Sequence, residues 1–157
     1  MAEWDALTTG AWCYFENVTE NGTTYGKLYN WYAINDPRGL APTGWHIPSD
    51  AEWTSLTNFL GGTSAAGMKM RDLGDTWSPS AVLATNQAGF SALPGGYGYL
   101  THTADQPFNS LGDVAFWWSA TASNPTTAYS LNVNLNNSVT RGSVLKKTAL
   151  SVRCIRN

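Results

Sequence analysis

The sequence predicts an α+β fold built as a single domain over residues 1–157, with two helices and a compact, mostly antiparallel sheet. Two observations carry this prediction. Residues 49–62 combine a helix start signal, helically spaced apolar residues and a stop signal. Residues 131–136 alternate apolar and polar side chains, which is typical of a half-buried strand. Because the helical patterns come early and the strand patterns late, the elements fit the α+β class.

The clearer helix begins at a predicted capping box. Ser49 can cap the free N–H groups of the first turn, and Glu52 can reach back to the chain before it. Apolar residues follow at helical spacing until the two glycines at 61–62 end the run. A weaker helix is predicted over residues 64–72, before Gly74.

The remaining segments are short. Residues 17–24 are rich in turn formers, and residues 28–33 are an aromatic segment whose pattern fits a helix or a strand. The predicted strands are residues 11–15, 116–119, about 129–135, 138–141 and 149–155.

Composition excludes several functional classes. Charged residues are 13% of the chain and the formal net charge is −2, with one small basic cluster at 146–147, so nucleic acid is not an expected partner. No apolar run reaches the roughly 18 residues that a membrane span needs. The first residues lack the basic and apolar regions of a signal peptide. A cell-surface or extracellular location is therefore expected only if the chain is part of a larger protein.

The chain has two cysteines, Cys13 and Cys154, one near each end. Two cysteines form neither a disulfide framework nor a metal site. A single bridge between them is possible if the termini lie side by side, but two buried free thiols are favoured, since buried Cys serves as a small apolar residue.

The sequence does not predict an enzyme or a cofactor. It has no nucleophile-elbow, P-loop, Rossmann or zinc-protease motif. His46 is expected to make a structural hydrogen bond, because no nucleophile motif accompanies it. Zinc is not expected, and the residues that sugar-binding lectins use for calcium are incomplete. A structural ion in a loop is an open alternative, with four candidate ligands: Asp72, Asp75, Asp105 and Asp113.

The alternating stretch has two interpretations. Leu131, Val133 and Leu135 would face the core, and Asn132 and its neighbours would face outward. Asn is uncommon in strands, so a row of Asn on one face needs a reason. It is either a solvated sheet face or a ligand surface that offers both donors and acceptors on a fixed backbone.

Five segments resemble the Fibrobacter succinogenes major paralogous domain family, in the order that the family has them. They are residues 25–33 (YGKLYNWYA), 44–53 (GWHIPSDAEW), 89–97 (GFSALPGGY), 117–119 (WWS) and 151–154 (SVRC). The resemblance covers residues 12 to 155 and implies a C-type lectin-like fold with adjacent termini and a binding surface on long loops.

The resemblance also implies a function. Some members are bacterial or phage-borne surface proteins whose 3′ codons are rewritten by diversity-generating retroelements, and the variable residues line a ligand surface. Residues 122–148 occupy that position here, so a non-enzymatic module that binds a protein or surface glycan is expected. The candidate ligand-binding residues are Asn124, Tyr129, Ser130, Asn132, Asn134, Asn136, Asn137, Ser138, Thr140, Ser143, Val144, Leu145 and Thr148.

The chain departs from the family at two positions where many members have cysteine. These are Gly22 and Ala41 here, which supports free thiols in this chain. Two alternatives stay open: an oxidase similar to formylglycine-generating enzymes, which share a related fold and need catalytic cysteines, and a purely architectural surface domain.

Overall fold

A computed structural model of the chain describes residues 2–79, 83–99 and 106–157. The described residues form an α+β structure of short helices and small antiparallel sheets, so the predicted class is confirmed. The helices are α1 (Ala2–Asp5), a 3₁₀ helix (Phe15–Asn17), α2 (Thr19–Tyr25), α3 (Trp31–Ile34), α4 (Asp50–Phe59) and α5 (Ala66–Met70).

The strands pair in four separate sheets rather than in the one compact sheet that was expected. Three of the sheets are two-stranded and one, β6-β7-β8, has three strands. The strands are β1 (Trp12–Cys13), β2 (Leu28–Tyr29), β3 (Trp45–His46), β4 (Gly95–Gly98), β5 (Phe108–Leu111), β6 (Val114–Ala122), β7 (Thr127–Asn134), β8 (Val139–Leu145) and β9 (Ile155–Arg156). The two-stranded pairs are β1 with β2, β3 with β9, and β4 with β5.

Residues 149–151 connect three of these sheets, although they belong to none of them. Ala149 bridges Gly98 of β4, and Leu150 bridges Tyr29 of β2. The next residue, Ser151, pairs with Trp117 of β6. The segment predicted as a strand over 149–155 is therefore a central connector followed by the short strand β9.

The early and late parts of the chain are in contact. In α1, the Trp4 Nε1–H donates to the carbonyl of Lys147 at 2.6 Å. The Nζ of the same lysine lies 3.2 Å from a carboxylate oxygen of Asp5. These contacts tie the first helix to the end of the β8 region.

Helix α4 begins as predicted. The Ser49 side chain accepts a hydrogen bond from the Glu52 backbone N–H, and the Glu52 carboxylate accepts one from the Ser49 backbone, which completes the capping box. The positive φ of Gly61, 99°, lies in the region that favours glycine and allows the chain to leave the helix. The capping signals in the sequence therefore set both ends of this helix.

The main core lies between the three-stranded sheet and helices α4 and α5. Its buried residues are Trp53, Leu60, Ala66, Met70, Trp77, Ala92, Ala115, Trp117, Leu131, Val133 and Val139. Helices α4 and α5 cover one face of β6-β7-β8, and a second buried cluster of Trp31, Trp118, Ala128 and Leu150 covers part of the opposite face. The rest of that face and the β8 edge are the parts of this sheet that can carry a site.

The prediction of two helices was wrong, because the described residues contain five α-helices. The weaker predicted helix corresponds to α5, whereas α2 (Thr19–Tyr25) overlaps residues 17–24, which were expected to form turns. Gly22 of α2 leaves room for the Tyr14 ring, since a Cβ there would lie 2.2 Å from a ring carbon. Helix propensity is a weak guide that tertiary context can override, and composition alone does not reveal a contact of this kind.

The aromatic segment at 28–33 is strand and helix in turn. Strand β2 ends at Tyr29, and α3 begins after Asn30, whose side chain accepts a hydrogen bond from the Ala33 N–H. Asn30 is thus the residue that divides the two elements. Along the described part of the chain, every helix is too short or too polar to cross a lipid bilayer.

Candidate functional site

The pleat of β7 points its apolar residues at the core, as predicted. Leu131 is 1% exposed and Val133 is 0% exposed, whereas Asn132 and Asn134 are half-buried. Leu135 is partly buried and packs against the same core. The alternation of apolar and polar residues in the sequence therefore correctly predicts which side chains of β7 face the core.

The register of the sheet divides the candidate residues between two faces. Asn132 pairs with Phe116 of β6 on one side and with Thr140 of β8 on the other. Because paired residues point to the same face, these three side chains form one row on the face away from the core, which we call the outer row. Tyr129 pairs with Ser143 and shares the opposite face with Leu131.

The outer row is the most accessible part of this face. Thr140 is exposed, and Asn132 and Phe116 are half-buried. The Phe116 ring meets Tyr97 edge-on, with 5.5 Å between ring centroids. Next to Thr140, Gly142 faces open space, because a Cβ built there would meet no atom within 4 Å. The row thus offers an aromatic edge, an amide and a hydroxyl beside an open surface.

A second accessible group lies at the β8 edge beside α4, and we call its three residues, Tyr129, Arg141 and Ser143, the edge patch. The Arg141 guanidinium lies 5.4 Å from the Tyr129 ring centroid. Its Nε lies 3.0 Å from a carboxylate oxygen of Asp50, and its Nη1 donates to the Thr54 hydroxyl at 2.9 Å. These contacts fix Arg141 between the helix and the sheet.

Several candidate residues build the β7–β8 turn instead of facing a ligand. The side-chain oxygens of Asn134 and Asn136 both accept hydrogen bonds from the Ser138 N–H and hydroxyl, at 2.7–3.2 Å. Asn137 is buried at the turn with φ 66°. Asn tolerates this left-handed conformation better than most residues, so its presence here is explained by the turn.

Asn124 has the same structural role in the β6–β7 loop. Its side-chain oxygen accepts from the Thr126 N–H and hydroxyl and from the Thr127 N–H, at 2.9–3.0 Å. This is the local bonding that makes Asn frequent in turns. The region is thus rich in Asn for two reasons: most of these residues build turns, and Asn132 lies on the accessible face of the sheet.

Four further candidates lie away from the open surface. Ser130 and Thr148 are buried, at 2% and 0% exposure. Val144 and Leu145 are half-buried, and Val144 packs against the cluster around Trp31 and Trp118. With Asn137 also buried, the structure leaves Asn132, Thr140, Ser143 and part of Tyr129 as candidates on accessible faces.

Sequence reasoning passed over Arg141, which lies at the centre of the edge patch. The candidate set contained no charged residue, and Arg141 was left out of it. It also assigned Phe116 to a buried strand, whereas its ring contributes to the outer row. The signal that could have found both is register, which pairs Phe116 with Asn132 and Arg141 with Leu131.

Both thiols are free, as favoured from the sequence. Cys13 is buried and Cys154 is half-buried. Burial raises the pKa of Cys13 to about 12. Burial also raises the pKa of Cys154, while neighbouring Arg153 opposes that shift. Both groups are therefore protonated thiols at neutral pH.

His46 makes the structural hydrogen bonds expected of it. Its Nε2 lies 2.8 Å from the Glu52 Oε1, and its Nδ1 lies 2.6 Å from the Asn157 Oδ1. Hydrogen bonding to Glu52, and then to Asn157, raises the pKa of His46. Bonds from the Ser49 side chain and backbone, followed by that from His46, lower the pKa of Glu52 to about 2. The network joins β3, the start of α4 and the end of the chain.

Within residues 2–79, 83–99 and 106–157, no group of three His, Cys, Asp or Glu side chains could hold a metal ion. Two of the candidate calcium ligands have other partners: Asp72 accepts from the Gly74 N–H, and Asp113 accepts from the Ser78 hydroxyl. Asp105 lies outside the described residues.

Comparison with known proteins gives one match. The family model described as the Fibrobacter succinogenes major domain matches residues 2–156, which is almost the whole chain. The comparisons with curated proteins and with solved structures gave no match.

Proposed function

The chain belongs to the Fibrobacter succinogenes major domain family, and we propose that it is a non-enzymatic module that binds a protein or surface glycan through residues 122–148. The observation that carries this proposal is the outer row. Asn132 and Thr140 project from strands whose other face is anchored in the core by Leu131 and Val133. Neither polar side chain has a hydrogen bond to another described residue, so both are available to a ligand.

The chemistry of the two accessible groups suits such a ligand. Amide and hydroxyl groups donate and accept hydrogen bonds, and the neighbouring aromatic edge supplies apolar contact. The edge patch adds one guanidinium already held in place by Asp50. Binding groups on a rigid sheet lose little conformational entropy on association, which favours affinity.

We propose further that the fold is C-type lectin-like and that the protein is a surface or phage-associated variable protein of a diversity-generating retroelement. The contacts of Trp4 with Lys147 and of Tyr29 with Leu150 support the first idea, because they bring early and late segments of the chain together. The second rests on family membership and on the position of the β7–β8 hairpin between residues 117–119 and 151–154, two of the segments that carry the family resemblance.

Binding to an array of bacterial surface glycans and displayed surface proteins tests the function. The double variant Asn132→Lys, Thr140→Lys should lose binding that the native chain shows. The control Ser55→Lys, Asn58→Lys adds the same charge to exposed positions of α4 and should retain it. Equal loss in both variants would contradict the assignment of the outer row.

The oxidase alternative predicts thiol-dependent turnover. The raised pKa values of Cys13 and Cys154 disfavour it, because the thiolate is the reactive form. Turnover that disappears in Cys154→Ser with folding intact would overturn the binding proposal. A purely architectural domain would be favoured if no ligand on the array bound the chain and if residues 122–148 did not vary among copies of the gene.

A further inference from the structure

A separate cavity of about 210 Å³ lies between the start of α4 and the end of the chain. Its walls include Trp53, Leu56, Phe90, Arg153, Cys154 and Ile155. These residues come from α4, from the segment before β4, and from residues 153–155, which include the first residue of β9. The cavity shares no residue with the outer row or the edge patch.

The aromatic wall of this cavity is held rigidly. Trp53 is 2% exposed, and its Nε1–H donates to the carbonyl of Trp118 at 3.3 Å. The Phe90 ring lies 6.1 Å from the Trp53 ring and meets the Trp117 ring edge-on at 5.2 Å. The wall is therefore preformed, and a ligand would not have to order it.

Of the two charged side chains at the cavity, Glu52 is occupied by other contacts and Arg153 is open to a ligand. Glu52 lies on the wall, but one carboxylate oxygen contacts His46 and the other accepts two hydrogen bonds from Ser49. Arg153 is exposed, its guanidinium lies 4.5 Å from the Phe90 ring centroid, and it has no carboxylate partner among the described residues. A guanidinium at the rim of an apolar cavity is complementary to an apolar group that carries a carboxylate.

We propose that this cavity binds a small apolar carboxylate, with the hydrocarbon group against Trp53, Phe90 and Ile155 and the carboxylate paired with Arg153. An apolar cavity of about 150 Å³ can hold a benzene ring, so the volume here admits one ring or a branched chain. Cys154 contributes an apolar wall and forms no bond with the ligand. The site is independent of the proposed surface, so either proposal can fail alone.

Cys154 provides a direct measurement of occupancy, because a bound molecule would cover its thiol. The probe is 3-phenylpropionate, and the readout is the rate of Cys154 alkylation by iodoacetamide, with peptide mapping to separate it from buried Cys13. We expect saturable protection and shifts of the Arg153, Cys154 and Ile155 amide resonances. The matched alcohol should bind about tenfold more weakly, since it lacks the charge. Equal or better protection by 3-phenylpropylamine would overturn the proposal, because Glu52 would then dominate.

Variants separate the charge from the cavity. Arg153→Gln should weaken 3-phenylpropionate about tenfold, and Arg153→Lys should restore part of the affinity. Arg156→Gln removes a neighbouring charge that does not line the cavity and should change the affinity less than about twofold. Equal effects of Arg153→Gln and Arg156→Gln would contradict the site.

Filling the cavity should abolish protection. Leu56→Trp places a larger side chain in it, and a melting curve reports whether the variant folds. If it does not fold, Ile155→Trp serves instead, because Ile155 is 40% exposed and tolerates a change of size more easily. Undiminished binding in the folded variant would show that the probe binds elsewhere.

Discussion

Strands β7 and β8 are neighbours in one sheet, yet they hold their side chains under different constraints. In β7, Leu131 and Val133 are buried against helices α4 and α5, so size and shape are fixed there. In β8, residues 140–143 are all exposed. The comparison teaches that side chains fixed by core packing and side chains on an open surface can lie one strand spacing apart, about 5 Å.

The largest difference is expected between Leu131 and Thr140. Leu131→Ala should lower the free energy of unfolding by about 2–5 kcal/mol, because it leaves a cavity in the core. Thr140→Ala should change it by less than about 0.5 kcal/mol, since the side chain is exposed. Urea unfolding measures both. Similar costs at the two positions would show that the strands are not constrained differently.

Two glycines sharpen the same comparison. A Cβ at Gly67 of α5 would lie 2.2 Å from the backbone oxygen of Asn137 in the β7–β8 turn, whereas one at Gly142 would meet nothing. Gly67→Ala should therefore destabilise the fold by at least about 2 kcal/mol, because backbone must move. Gly142→Ala should be neutral or stabilise by up to about 1 kcal/mol. Denaturant midpoints of the two variants provide the measurement, and a neutral Gly67→Ala would refute the close approach.

The capping box should have a smaller effect. Ser49→Ala removes the side chain that caps α4 and should cost about 1 kcal/mol. Ser55→Ala is a suitable control, since Ser55 lies within the same helix, is exposed and bonds only to the Ala51 carbonyl. It should be neutral or slightly stabilising because Ala favours helix. Thermal unfolding provides the measurement. Equal decreases in the melting temperature of the two variants would contradict a specific role for the cap.

The smallest effect concerns pH. Hydrogen bonds to Glu52 and Asn157 raise the pKa of His46 above its ordinary value of 6.5 in the folded state. Its stabilising contribution is thus complete below about pH 6.5 and is lost as the pH rises through the raised folded value. The native chain should exceed His46→Gln in stability more at pH 5.5 than at pH 8. If the difference in unfolding midpoint between the native chain and His46→Gln were the same at both pH values, protonated His46 would not contribute to stability.

Local signals in the sequence predicted the elements that depend on local interactions. The capping box of α4 and the alternation of β7 both correspond to real boundaries and faces. Helix α2 was missed because its residues are turn formers by composition, and the close approach of Tyr14 to Gly22 joins segments that local patterns treat separately. Residues 149–155 were predicted as one strand, but residues 149, 150 and 151 each pair with a strand of a different sheet.

The candidate surface could be predicted only in part for a similar reason. Composition identified the Asn-rich region but could not separate residues that build turns from those that face outward. Asn124 and Asn136 bond within their own loops, whereas Asn132 is placed by its neighbours in the sheet. Register, which depends on pairing across the sheet, was the missing information, and it also accounts for the omission of Arg141.

The most direct test of the central claim is to sequence copies of this gene, with the neighbouring DNA, from closely related isolates. The account predicts substitutions concentrated at accessible hairpin positions such as Asn132, Thr140 and Ser143, with Leu131 and Val133 unchanged. It also predicts a neighbouring reverse-transcriptase gene and a near-copy of the 3′ end. Substitutions spread evenly along the chain, without those genetic neighbours, would contradict a diversified ligand surface.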